Sequence, residues 1–352
     1  MNEMSEREGK IVAFLQKMTS NSEDMAMLRR SLRSAGYGMM GQVETIAFNA
    51  PGSVTEERLA HARKAIVLDT ETEGLDFKEH KILQLSMQQV LFDEQGILAL
   101  GGFFNAYQDP GRPIDAEITR LTGITEEMVK GRAIDEAAVA TFLDGTERII
   151  AHHADFDRKM CEKWLPSSGF DNIIWDCSIE QVNWADRGER SAKLELLMLH
   201  QGMMYDAHRA DSDIRATAWM LNTVDTGGRT AFAEMLENSA LGHVHIFATN
   251  SPFSAKDTLK SGGYHWAADD APVRGEAKVW HKYMTATPAA LTEEAARLRE
   301  AFGRDVSLTA FEWDAKNRYS DRPSRTRFQT AVPSSPMQAI GMQAELQPSF
   351  GF

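Results

Sequence analysis

Ala65-Ile66-Val67-Leu68 is an uninterrupted apolar run that leads into two carboxylates, Asp69 and Glu71, within the string VLDTETEGL from Val67 to Leu75. A short run of this kind reads as a central strand covered on both faces. Side chains at i and i+2 of a strand share a side, so Asp69 and Glu71 project together from a buried sheet. Two like charges in a low-dielectric surrounding are costly unless something positive lies between them. A divalent cation is the usual answer, and ligands that are all oxygen favour magnesium or manganese. Alone, the pair is equally compatible with a plain strand-to-loop transition.

Two further segments decide between these readings. Ile149-Ile150-Ala151-His152-His153-Ala154-Asp155-Phe156-Asp157 reads as a strand end, a turn, and a helix that runs through Arg158 to Leu165. Ala207 to Ala218 reads as a helix on which Asp213 shares a stripe with Ala210, Ile214, Thr217 and Leu221, the spacing of a buried face. Three separate segments thus each aim an acid inward, and the third carries His208 five residues before its acid. Asp155 and Asp211 read as solvent-facing neighbours.

On these residues the chain resembles the DEDDh family of 3′–5′ exonucleases, the DnaQ-like group of the bacterial replicative proofreading (epsilon) subunit. Asp69, Glu71, Thr72 and Gly74 match its first motif; His152, Phe156 and Asp157 match the second; His208 and Asp213 match the third. His80 to Ser86 is similar to its second strand, and Leu121-Thr122-Gly123-Ile124-Thr125 to its "hGIT" turn. The chain departs from the pattern at His153, where Asn is usual, and at Glu73, where Thr is common. The resemblance covers roughly residues 62 to 225. It implies an α/β, ribonuclease-H-like mixed five-stranded sheet with helices on both faces. It also implies two divalent cations, Mg2+ or Mn2+: Asp69, Glu71 and Asp213 would hold the first, Asp69 would bridge to the second, and Asp157 would support the second directly or through water. His208 would be the general base, a role that suits an imidazole because its intrinsic pKa lies near the working pH. Thr70, Thr72, Gly74, Leu75, His152 and Phe156 would line the substrate site, with His152 also orienting the turn before Asp157. The product would be a 5′-nucleoside monophosphate released from a 3′ end.

The alternation along the chain agrees with such a core. Lys64–Asp69, Ile82–Phe92, Ile97–Tyr107, Arg148–His152 and Ile173–Cys177 read as strands. Ile114–Leu121, Ile134–Leu143, Leu194–Gln201 and Arg209–Asn222 read as helices. Residues 1–60 read as a helical N-terminal extension, with helices over Glu6–Met18 and Asp24–Ser34. Residues 61–225 are the nuclease domain, and 226–310 a small α+β module. In that module a linking helix runs over Thr230–Asn238, strands over Val244–Ala248, Tyr264–Trp266 and Val279–Lys282, and a helix is opened by a Ser254/Asp257 capping box. A last helix begins at Thr287-Pro288 and ends at Gly303. Lys256, Lys260, Lys282, Tyr264, Trp266, Trp280 and Tyr283 form a base-stacking surface or, for the two tryptophans, a small core. Residues 311–352 read as a basic, then low-complexity, disordered tail.

Composition bounds the function. The 352-residue chain has no apolar stretch long enough to cross a membrane, and its N-terminus is polar and acidic, unlike a secretory signal. Two cysteines, Cys161 and Cys177, fit a reducing cytoplasm and inert packing roles. A net charge of −13 is unusual for a nucleic-acid binder; an enzyme that holds a few nucleotides through cations needs no broad basic face. The leading expectation is therefore an exonuclease on the 3′ ends of single-stranded DNA. An RNA 3′-end trimmer and an idle nuclease fold used as a scaffold are the rivals. A protein partner would dock on the N-terminal extension or the C-terminal tail, although the tail holds no well-spaced clamp motif and a stand-alone nuclease is favoured over a polymerase subunit.

Overall fold

The computed structural model describes residues 40–43, 54–269, 275–304, 307–313, 315–322 and 327–331, together with Met27, Leu32 and Ser34. A two-residue strand, β1 (Gly41–Gln42), and a short helix, α1 (Glu56–Ala60), precede β2 (Arg63–Thr72), which is the strand expected around Asp69. There follow β3 (Ile82–Asp93), β4 (Gly96–Tyr107), α2 (Ala116–Thr122), α3 (Glu126–Val129), α4 (Glu136–Leu143), β5 (Arg148–Ala151), α5 (Ala154–Trp164) and β6 (Ile174–Cys177). Next come α6 (Leu194–His200), β7 (Met203–Met204), α7 (Ala210–Leu221) and α8 (Ala231–Ala240).

Five of these strands form one sheet in the order β4-β3-β2-β5-β6. β2 pairs antiparallel with β3 and parallel with β5, and β5 pairs parallel with β6, so the sheet is mixed. The apolar run of β2 is covered on both sides, as its unbroken hydrophobicity requires. Ala65 and Val67 belong to one core with Ile214, Leu221, Phe232 and Met235 from α7 and α8. Ile66 and Leu68 belong to the other, with Met160 and Cys161 of α5 and Trp175 of β6. The expected α/β, ribonuclease-H-like sheet with helices on both faces is what the chain forms. Cys161 and Cys177 are buried and unpaired.

β1 pairs in parallel with β7, Gly41 opposite Met203 and Gln42 opposite Met204. Most of the expected N-terminal helices lies outside the described residues, though Met27, Leu32 and Ser34 are helical.

A second sheet follows: β8 (His243–Ala248), β9 (His265–Ala267), β10 (Val279–Thr285), β11 (Ser307–Trp313) and β12 (Arg327–Ala331), in the order β12-β11-β8-β10-β9 and antiparallel throughout. Helices α9 (Lys256–Ser261) and α10 (Pro288–Phe302) cover one face, with Val244, Ile246, Leu259, Tyr264 and Leu298 between them. Thr287 caps α10 by accepting from Ala290 N at 3.2 Å, and Gly303 (φ 63°) ends it in the left-handed turn glycine permits. The Ser254 capping box does not form: a 3₁₀ turn over Phe253–Ala255 intervenes, and α9 starts with no side-chain cap.

Two further expectations are corrected. The described residues of 311–331 are no loose tail, because β11 and β12 extend the second sheet and Arg318, Tyr319 and Ser320 are each 1% exposed; residues 314, 323–326 and 332–352 lie outside the described ones. The aromatic and basic residues do not share one surface either. Tyr264 is buried and Lys282 pairs with Glu294 at 2.6 Å, Tyr283 turns toward the first sheet, and Trp266 stays half exposed against Trp280. Among the described residues no helix is long and apolar enough to cross a membrane.

Candidate active site

Strand parity sorts the side chains at the end of β2. Asp69 and Glu71 follow Ala65 and Val67 to the side on which α7 packs, whereas Thr70 follows Ile66 and Leu68 to the side of α5. α7 answers with Asp213. One carboxylate oxygen from each of Asp69, Glu71 and Asp213 lies within 4.8 Å of the others. The register of β2 with β3 slips between Glu71 and Thr72, so the ladder breaks where the acids gather.

Asp157 comes from α5 and lies outside that close group. It is 2% exposed, and its Oδ1 accepts both the Thr70 amide (3.1 Å) and the Thr70 hydroxyl (2.8 Å). It remains part of the same electrostatic neighbourhood. Burial, then the charges of Asp157, Asp213 and Glu71, hold the Asp69 carboxyl far above its ordinary range. Burial, with Asp213 and Asp157, pushes Glu71 up to about 8. Burial raises Asp157 to about 7 against the opposing Thr70 bonds, and Asp213 to about 7 against the amides that bind it. Among the described residues no Lys or Arg forms an ion pair with any of the four. An oxygen-only donor set that close, with raised proton affinity and no internal cation, fits a divalent metal ion.

Asp213 is held by the loop before its own helix. His208 adopts φ 63°, rare for a residue other than glycine, and at this turn the Arg209 amide donates to the Asp213 carboxylate at 2.8 Å. His208 is exposed. Tyr205 is a further electrostatic neighbour of Asp213: burial, then the Asp213 charge, raises the proton affinity of its hydroxyl. Sequence reading passed over Tyr205; its place three residues before His208 in a polar loop was the available signal.

The expected substrate contacts divide. Leu75 is 85% exposed, three residues past the end of β2, and meets no core. Gly74 has no room for a side chain, since a Cβ there would stand 2.7 Å from the His80 ring. Phe156 is partly buried and stacks on His153 with ring centroids 6.2 Å apart. Three others face inward. The Thr70 hydroxyl serves Asp157, and the Thr72 hydroxyl donates to Gly74 O at 2.7 Å. His152 has both ring nitrogens engaged, Nδ1 with Ser178 Oγ at 2.7 Å and Nε2 with Ala192 O at 2.8 Å, and burial lowers its pKa to about 4. It braces the turn as a neutral imidazole and has no nitrogen left for substrate, which corrects the expectation of a substrate contact. Asp155 is not solvent-facing, being bonded to Lys159 and to Tyr283 at 2.9 Å each.

Comparison with known proteins agrees with this geometry. The RNase_T family, described as Exonuclease, matches residues 66–221. A PolC-type DNA polymerase III of Clostridium perfringens is 29% identical over 161 residues, 44% of this chain and 11% of its own. The PolC-type enzyme of Bacillus subtilis is 32% identical over 221 residues, 60% of this chain and 14% of its own. The chain thus spans only a small part of the length of these relatives. Among solved structures, the zinc-bound E. coli ExoI–ssDNA complex is 16% identical, with 63% of each chain covered and a TM-score of 0.42. Exonuclease X in complex with 5′-overhanging duplex DNA is 22% identical, with 48% of this chain and 99% of its own covered and a TM-score of 0.36. Both are distant likenesses. The strand that ends in Asp69 and Glu71, and the helix that answers with Asp213, lie within residues 66–221, the span of this chain that matches the RNase_T exonuclease family.

Proposed function

We propose that this chain hydrolyses phosphodiester bonds one nucleotide at a time from the 3′ end of single-stranded DNA, releasing 5′-nucleoside monophosphates in proofreading or repair. The observation that carries the reading is the group of three carboxylates within 4.8 Å, with no Lys or Arg paired to them among the described residues, on a span that matches an exonuclease family. Asp69, Glu71 and Asp213 would hold one divalent cation, Mg2+ or Mn2+, and Asp157 would support a second. Such cations, when bound, neutralise the scissile phosphate and favour ionisation of the attacking water. His208 takes the proton of that water from its loop just before α7, where the Arg209 amide holds Asp213 in place. Leu75, exposed past the end of β2, packs against the terminal base. Thr70 holds Asp157, and His152 holds the turn from which α5 departs. An idle scaffold has no use for four acids that raise one another's proton affinity in a buried place.

The test is degradation of matched 3′- and 5′-labelled single-stranded DNA and RNA oligonucleotides with Mg2+ or Mn2+. Wild type should shorten the DNA stepwise from its 3′ end, and Asp157→Ala should abolish this. His208→Asn, which keeps a residue tolerant of φ > 0, should slow it about 10²–10⁴-fold. Faster loss of RNA would reassign the substrate, and no cleavage of either polymer by folded protein would overturn the enzyme reading.

A further inference from the structure

Helix α5 lies between the two sheets, and its faces have different neighbours. Helical spacing puts Asp155, Arg158, Lys159 and Glu162 on one stripe. Asp157, Met160 and Cys161 point the other way into the first sheet, at 2%, 0% and 0% exposure. A stripe of four charges ordinarily faces water. Here the C-terminal part of the chain covers it. Tyr283 Oη on β10 donates to Asp155 Oδ1 at 2.9 Å, while Lys159 Nζ donates to Asp155 Oδ2 at 2.9 Å. Arg158 donates to Arg318 O, to Lys316 O and to Glu162 Oε1, each at 2.6 Å, and its side chain is fully enclosed. Arg322 Nη2 reaches the same Glu162 oxygen at 3.2 Å. The covering segment is itself anchored: Arg318 Nη2 donates to Ser239 O at 2.7 Å, and Tyr319 lies in the core that holds Met160 and Cys161.

The two faces constrain the helix differently. The inward contacts of Met160 and Cys161 are apolar and non-directional, so on that face only the two Thr70 bonds to Asp157 Oδ1 set a direction. The outward hydrogen bonds are directional and fix the azimuth. Asp157 sits one residue from Arg158 and two from Asp155, so its carboxylate moves with them. We propose that Asp155 and Arg158 are positioning residues of the exonuclease site: through them Tyr283 and the 316–322 segment fix the first turns of α5, hence the place of Asp157 and the cation affinity of the carboxylate cluster. The C-terminal residues are then a working part of the nuclease. This rests on the reading of the cluster as a cation site.

Calorimetric titration of the full chain with Mn2+ tests it, beside steady-state kinetics on a single-stranded oligonucleotide. Arg158→Met should weaken Mn2+ binding about tenfold or more, the scale of lost outer support for a metal ligand. Arg158→Lys, which keeps the charge and part of the bonding, should recover some of that affinity. The cation concentration for half-maximal activity should rise in parallel, with the KM for oligonucleotide unchanged. Should Arg158→Met not fold, Tyr283→Phe, which removes one hydroxyl, decides the matter with an expected threefold weakening. Folded variants that bind Mn2+ as wild type does would overturn the positioning role while leaving the exonuclease reading intact. A wild-type chain that binds no Mn2+ would overturn the cation site, and this inference with it.

Discussion

Asp69 on β2 and Asp176 on β6 are inward-pointing aspartates of one sheet, and they hold their protons in opposite ways. Asp176 is 0% exposed, with Arg148 Nη1 at 2.6 Å, Arg318 Nη1 at 3.4 Å and Gln181 Nε2 at 2.9 Å. Against the effect of burial, the two guanidinium charges keep its carboxyl below the ordinary range. Asp69 is only partly buried, yet its neighbours are three more carboxylates, and together with desolvation they hold its carboxyl far above that range. The difference lies in the neighbours. A structural acid closes its charge inside the protein; the acids of the site leave theirs open for a ligand to complete.

The largest expected effect follows from neutralising the open cluster. Asp69→Asn should lower exonuclease turnover by about 10³-fold or more, because cation charge stabilisation of several kcal/mol is lost. The same change should raise the melting temperature of metal-free protein by a few degrees, since it removes an acid that the fold must either keep protonated or ionise beside three others. Differential scanning fluorimetry in EDTA would break the comparison if Asp69→Asn melted lower than wild type.

Opening the closed cluster should have the reverse signature. Arg148→Ala leaves Asp176 buried with only Arg318 against it, and should lower stability by about 3–5 kcal/mol. Turnover per folded molecule should stay near wild type, because Arg148 pairs with Asp176 and Glu147 rather than with the acids of the site, and the Arg318 anchor on Ser239 remains. A urea titration followed by an activity measurement on the folded fraction reads both. Full stability in Arg148→Ala would mean that the buried triad is dispensable, and the contrast with Asp69 would lose its second term.

Much of the site was legible from residues because its signals are local. The i, i+2 parity of Asp69 and Glu71, the helical stripe of Asp213 and the offset of His208 are all read within a dozen residues, and the close carboxylate group has the membership that parity and stripe imply. The strands of the first sheet were legible for the same reason: β2 to β6 differ from the expected spans only at their ends. What was not legible depends on partners far away in sequence. Arg318 meets Asp176 across 142 residues, and Arg158 meets the Arg318 carbonyl across 160. In a one-dimensional reading those arginines are a basic tail and a solvated helix face. Asp155 and His152 failed for a related cause, since an exposed-looking polar side chain reveals its engagement only once the Tyr283 hydroxyl or the Ala192 carbonyl has been folded against it.

The smallest effect, and the one that separates the two kinds of acid in a single experiment, is the dependence of stability on pH. Glu71 titrates near 8, and Asp157 and Asp213 near 7, whereas unfolded carboxylates titrate near 4. Between about pH 4 and 8 the folded, metal-free protein therefore holds protons that the unfolded chain has released. Their contribution to stability is fully present below about pH 4 and is lost as pH rises through 7 to 8. Asp176 and Asp155 have lowered values, so their contribution is present above about pH 4 and is lost only as pH falls below it. In EDTA the melting temperature should thus decline by a few degrees between about pH 6 and 8.5. Mn2+ should restore it, most strongly at the alkaline end, where the carboxylates are ionised and ready to bind. Asp69→Asn should flatten the alkaline decline, because the remaining acids lose a repelling neighbour. A flat curve in EDTA from pH 6 to 8.5 for the wild-type chain would mean that a group within the protein already balances these four charges, and the cluster would then be a second Asp176 rather than a site.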